Sequence, residues 1–108
     1  MKRGDIIKAI SAKEYGKPRP SLVVQANSFE GLKSVVICPL TSDLLESSDI
    51  RLRIEPNARN GLRLPSNIMI DKVSTIPRAR CREVIGKVDE LTLERVAANL
   101  SLLLGLGD

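Results

Sequence analysis

The sequence predicts a mainly β domain of the α+β type: a small, strongly bent sheet or barrel with one C-terminal helix packed against it. Three observations carry that prediction. Short runs rich in Val and Ile, separated by turn residues, follow one another up to residue 88. After Asp89 the apolar period switches to that of a helix. The 108 residues match one domain, long enough for a modest core without covalent staples.

Residues 4–10 read as the first strand, with Ile6 and Ile7 apolar and Lys8 outward. Residues 11–18 form a polar loop containing Lys13, Tyr15 and Lys17. Residues 21–25 and 33–40 are apolar runs typical of buried strands, and residues 27–31 between them have turn chemistry. Residues 42–46 are expected to make one helical turn capped by Ser42 or Asp43. Strict alternation over 50–54 sets Ile50, Leu52 and Ile54 on one face and Arg51 and Arg53 on the other. Residues 56–65 are a loop whose clearest turn signal is Asn60-Gly61. Residues 68–73 and 82–88 are the last strands expected. Leu93, Val96, Ala97, Leu100, Leu103 and Leu104 then share one helical face, with Asp89 as N-cap and Gly105 as the stop.

Seventeen basic against thirteen acidic residues leave a net charge of +4, which favours an anionic partner. One Tyr, one Phe and no Trp exclude the aromatic stacking platforms of general single-strand binders, so nucleic acid here would be held by charge and hydrogen bonds. Cys38 and Cys81 match no zinc spacing and no disulfide framework. Cys38 reads as a core residue and Cys81, between two arginines, as more exposed. Free thiols and the lack of any span-length apolar stretch or signal-peptide core predict a cytoplasmic protein away from membranes.

Three polar groups mark strand ends. Arg19 precedes the apolar run 21–24, Thr41 and Ser42 follow the run 35–40, and Asp71 follows Ile68-Met69-Ile70. An arginine fork suits phosphate oxygens, and a hydroxyl beside it adds a hydrogen bond. Each has a plain alternative: a surface residue for Arg19, a turn cap for Thr41 and Ser42, a salt bridge to Lys72 or an arginine for Asp71. Arg78, Arg80 and Arg82 form the densest basic cluster, equally suited to an RNA backbone or to water. Arg51 and Arg53 read as a solvated face.

The order and spacing of several stretches resemble the MazF/PemK (Kid) family of toxin ribonucleases. They are Lys2-Arg3-Gly4-Asp5-Ile6, Arg19-Pro20-Ser21-Leu22-Val23-Val24, Val36 through Ser42, Asn60-Gly61-Leu62, Pro65-Ser66, Asp71 through Ile76, and Ile85-Gly86-Lys87-Val88. The resemblance implies an SH3-like β-barrel with a C-terminal helix, a homodimer, and cofactor-free, metal-independent cleavage of single-stranded RNA at a short motif. It also implies a cognate antitoxin that threads an acidic, partly disordered tail into the RNA groove. Carried over by position, the catalytic residues are Arg19, Thr41 and Asp71. Lys13, Lys17, Ser42, Arg78, Arg80 and Arg82 are the expected substrate contacts.

The chain departs from the family in having no histidine, Met69 where some members have an arginine, and Ile6-Ile7 in place of an aromatic. RNA supplies its own nucleophile, the 2′-OH, so alignment and charge stabilisation can provide most of the catalysis. The products expected are a 2′,3′-cyclic phosphate and a 5′-OH. Arg19 would stabilise the transition state, Asp71 would accept the 2′-OH proton if within reach, and Lys13 or Lys17 would donate to the leaving oxygen. The alternatives are a gyrase poison of the similar CcdB-like fold, and an RNA-binding module without turnover. The C-terminus lacks the Trp-Gly-Ile ending of the gyrase poisons.

Overall fold

A computed structural model describes residues 1–10, 17–44 and 50–107. Seven strands and one helix follow in order: β1 Asp5–Ile10, β2 Pro18–Val23, β3 Ser34–Thr41, β4 Arg51–Ile54, β5 Ser66–Met69, β6 Ser74–Pro77, β7 Cys81–Lys87 and α1 Glu90–Leu103. All pairings are antiparallel, in the order β4-β5-β3-β2-β1-β7, with β6 also on β3.

β3 explains the bend. Its Leu40 and Thr41 pair with β5, while residues 34–37 pair with β6 along the same edge. A 3₁₀ turn at Ile70–Lys72 moves the chain from the first pairing to the second. β6 and β7 lie at opposite ends of the path β6-β3-β2-β1-β7, yet only Arg78–Arg80 joins them. Three residues span so little distance that the sheet must curl until those ends approach. The result is an open barrel, brought round by a short connection with no β6–β7 ladder among the described residues.

Both faces of the curled sheet are buried, which is why β1 and β2 carry adjacent apolar residues rather than strict alternation. Ile6, Leu22, Cys38, Leu40, Leu52, Ile68, Ile70 and Val96 of α1 form the larger cluster. Ile7, Ala9, Val23, Val35 and Ile37 form the second, with Ile76 and Cys81 packed on it. Cys38 is fully buried as expected, and burial, aided by the negative charge of Asp71, pushes its thiol up to about 12. It is an inert core residue.

The helix begins at Asp89, whose side chain accepts the Thr92 N–H at 2.7 Å, and Gly105 at φ +69° ends it. The Leu106 N–H reaches back to the Ser101 carbonyl, the long closing bond of a Schellman motif. Val96 is fully buried and Leu100 packs on the larger cluster, but Leu103 and Leu104 are exposed, against the expected stripe. The helical face continues past the sheet it packs on, so its last turn has nothing to cover.

Two other expectations are corrected. The apolar run 68–73 is not one strand, because β3 has to be paired twice; this also creates β6, which the sequence reading missed. β2 begins three residues early, at Pro18, because Pro18, Arg19 and Pro20 pair with Ile10, Ala9 and Lys8. The expected turn at 42–46 lies partly outside the described residues, and 42–44 are not helical.

Candidate active site

β2 and β3 pair through Ser21↔Pro39, Leu22↔Cys38 and Val23↔Ile37. Extending that register by two residues sets Arg19 opposite Thr41. Arg19 also pairs with Ala9 on β1, and Thr41 with Asn67 on β5. One row across four strands therefore sets residues 19 and 41 on the same edge of the sheet, at the strand ends.

Arg19, Thr41 and Ser42 line the same cleft, of about 670 Å³. Arg19 is exposed and Thr41 half-buried. The Thr41 hydroxyl oxygen accepts the Asp43 N–H at 3.1 Å, so the expected turn-stabilising role is real. That bond occupies a lone pair and leaves the hydroxyl proton to be donated into the cleft.

The next row, Lys8 beside Pro20 and then Leu40, also lines the cleft. The roof is the loop 57–65. It is tied to β7 by the Lys87 N–H to the Arg59 carbonyl at 2.9 Å, and it runs into β5, which pairs with β3. It must therefore arch across β1 and β2. Asn60, almost fully buried, holds the arch in shape. Its side-chain oxygen accepts from the Asn57 and Leu62 N–H groups, and its amide donates to the Glu55 carbonyl at 2.8 Å. Gly61, at φ +68°, lies against the Ile85 backbone, and Leu62 packs on the larger core cluster.

The family described as the PemK-like, MazF-like toxin of type II toxin–antitoxin systems matches residues 2–104. The chain belongs to this toxin family. It is 38% identical over 107 residues to the probable endoribonuclease MazF of Mycolicibacterium smegmatis, with 98% of each chain covered. It is 25% identical over 113 residues to the endoribonuclease EndoA of Bacillus subtilis, covering 100% of this chain and 97% of that one. Among solved structures, the toxin MazF-mt6 of Mycobacterium tuberculosis superposes with a TM-score of 0.79 at 22% identity, covering 94% of this chain and 96% of its own. A MazE–MazF structure from Deinococcus radiodurans (Form-II) gives 0.78 at 21%, covering 97% and 95%. At those identities the superpositions speak for the fold.

Not every expected residue of the toxin reaches the cleft. Asp71 sits on the 3₁₀ turn, not at a strand end. Its carboxylate is taken by Arg51 in a two-pronged pair, Nε to Oδ1 at 3.0 Å and Nη2 to Oδ2 at 3.1 Å. It is absent from the cleft lining. Hydrogen bonding from Arg51, followed by that guanidinium's charge, holds the carboxyl below its ordinary value, so Asp71 is a weaker base than a free aspartate. Of the basic cluster, Arg78 donates to the Leu32 carbonyl at 3.0 Å and borders a separate, shallow depression beside Arg3. Arg82 donates to the Ala79 carbonyl at 2.7 Å, and Arg80 is exposed. None of the three lines the cleft. Lys17 is exposed just before β2, also outside the lining, and Lys13 lies outside the described residues.

Lys8 and Arg63 do line it, and the sequence reading named neither as a site residue. Lys8 had a signal, a single cation amid the apolar residues of β1. Its neighbour on β2, Pro20, becomes visible only with the register. Arg63 had none beyond lying just after Asn60-Gly61. Among the described residues no three His, Cys, Asp or Glu side chains gather into a metal-holding cluster.

The Arg51–Asp71 pair makes a pH-dependent contribution whose sign follows from the lowered carboxyl pKa. Stability from the pair is present above the unfolded-state value of 3.8 and is lost as pH falls through the lower folded value. Asp71→Asn should therefore cost about 1 kcal/mol at pH 7, given a partly exposed pair. The gap to wild type should close in acid. Urea denaturation of both proteins at pH 7 and in acid checks this, and a gap that stays constant with pH would refute it.

Proposed function

We propose that this toxin is an endoribonuclease that cuts single-stranded RNA in the cleft between Arg19 and Thr41, using the RNA's own 2′-OH as nucleophile. The observation that carries the reading is the β2–β3 register, which brings a permanent cation and a donor hydroxyl onto one rim of one cleft. A scissile phosphate there would have its non-bridging oxygens held by the Arg19 fork and the Thr41 hydroxyl. Negative charge grows on those oxygens as the 2′-oxygen attacks phosphorus, so both contacts strengthen in the transition state. Ser42 supplies a second hydroxyl at the same rim.

Attack forms the 2′-O–P bond and expels the 5′-oxygen, leaving a 2′,3′-cyclic phosphate and, after protonation, a 5′-OH. No metal is needed for that exchange. Arg19 is no general base, since a guanidinium keeps its proton. Asp71 is not given that role either, because Arg51 holds its carboxylate away from the cleft lining and weakens it as a base.

The names of the relatives favour RNA cleavage over gyrase poisoning or binding without turnover. One structural neighbour is an endoribonuclease in complex with its cognate antitoxin from a mycobacterial species, with a TM-score of 0.79. By extension, an antitoxin with an acidic tail would neutralise this toxin by occupying its cationic cleft. A homodimer would cover the exposed Leu102, Leu103, Leu104 and Leu106 at the end of α1. A single-stranded RNA substrate suits a cytoplasmic protein. No helix among the described residues is long and apolar enough to cross a membrane.

The test is incubation of purified protein with RNA in excess EDTA, followed by mapping of the new 5′ ends. Cleavage at a short motif with 5′-OH products is expected. A substrate with 2′-deoxyribose at the scissile nucleotide should survive intact. Cutting of that deoxy substrate would eliminate the mechanism, since no internal nucleophile is left.

A further inference from the structure

We propose that Lys8 and Arg63 form a second phosphate-binding position in this cleft, holding a backbone phosphate next to the one at Arg19. The proposal rests on the cleft being the RNA-cleaving site, and it names how the substrate strand is gripped there.

Charge gives the first argument. Among the described residues, three charged side chains line the cavity, Lys8, Arg19 and Arg63, and all are cations. One cation at the reacting phosphate would suffice for chemistry alone. Three of one sign around one cavity describe a path for a polyanion.

Placement gives the second. Lys8 lies on β1, one strand spacing of roughly 5 Å from β2, and its partner in the register is Pro20, the residue after Arg19. Lys8 and Arg19 both line the cavity. Arg63 comes from the opposite wall, on the arch fixed by Asn60 and anchored by Leu62. A strand in the cavity would therefore meet one cation from β1 and one from the arch.

Availability gives the third. Lys8 pairs only loosely with Glu83, at 3.4 Å between side chains that are 45% and 65% exposed. Such a pair contributes little, so exchanging the carboxylate for a phosphate is cheap. Among the described residues Arg63 has neither an ion pair nor a hydrogen bond, although it is exposed at the cleft wall. The arginines at 78, 80 and 82, expected from sequence to hold the backbone, are not in the cleft lining. Apart from Arg19, no other cation among the described residues lines the cleft.

The experiment uses an RNA carrying the mapped motif, with 2′-deoxyribose at the scissile nucleotide to prevent turnover. Flanking phosphates are replaced one at a time by uncharged methylphosphonates. Wild-type protein should lose affinity at one flanking position. Lys8→Gln and Arg63→Gln should each weaken binding of unmodified RNA by roughly five- to tenfold and lower the salt slope by about one. Against either variant, the methylphosphonate at that position should cost clearly less than it costs wild type, because one of the two contacts is already gone. On cleavable RNA the variants should raise KM and leave kcat nearly unchanged, with unaltered melting temperatures because both side chains are exposed. Unchanged affinity and salt slope in both variants would overturn the proposal, as would full, independent losses for the variant and the methylphosphonate at every position. Failure of wild type to cleave any RNA removes the reading of the site itself, a result distinct from normal cleavage with indifferent variants.

Discussion

Arg19→Ala should lower kcat for RNA cleavage by about 10²–10³-fold, the cost of removing one preorganised donor from developing oxyanion charge. The fold should barely notice. Arg19 is exposed at the start of β2 and its backbone pairing with Ala9 does not need the side chain, so stability should stay within about 0.5 kcal/mol of wild type. Arg19→Lys is the more informative partner. It keeps the charge and loses the planar fork, so its activity should fall between the two, well short of wild type. Single-turnover cleavage and thermal melts on the three proteins decide the matter. Near-normal cleavage by the alanine variant would mean that the chemistry happens elsewhere.

Gly86→Ala should be strongly destabilising for a change that adds a single methyl group. A Cβ there would lie 2.3 Å from the Asn60 carbonyl carbon and 2.4 Å from the Arg59 and Asn60 oxygens, all backbone atoms that no side-chain rotation can move. Gly61 is the matching half of the joint, where a Cβ would come 2.0 Å from the Ile85 oxygen at a φ of +68°. The arch and β7 fit only because neither residue has a side chain. Forcing them apart should cost about 2–4 kcal/mol. RNA cleavage should drop as well, because the arch is the cleft roof. Gly31→Ala is the control, since nothing lies within 4 Å of its Cβ and its φ is not positive. It should be neutral or slightly stabilising in urea denaturation. Equal stability of the two variants would show that the arch does not rest on β7.

The glycine joint shows where reading the sequence stops. Asn60-Gly61 was legible as a turn, and Gly86 as a residue inside a strand. Nothing local says that two glycines 25 positions apart in the chain face each other. The same holds for Lys8, which looks like an ordinary outward cation until Pro20 is set beside it. A salt bridge from Asp71 to an arginine was legible, but which arginine it would be was not. Arg78, Arg80 and Arg82 cluster along the chain without lining this cleft, because closeness in sequence is not closeness around a cavity. Two of them spend donors on nearby carbonyls.

The mainly β class, the helix with its Asp89 cap and Gly105 stop, the burial of Cys38, the toxin family and the residue types that suit phosphate chemistry could all be read from the chain before it folds. These depend on short-range patterns: the period of apolar residues, the hydroxyl or carboxylate at a turn, and the order of motifs. Only the tertiary structure decided which of those residues share a cleft. Register between β2 and β3 joins Arg19 to Thr41, and double pairing along β3 creates β6 and carries Asp71 to Arg51. Such pairings are chosen by burying both sheet faces at once, an energy that belongs to the whole curled sheet and to no single stretch of chain.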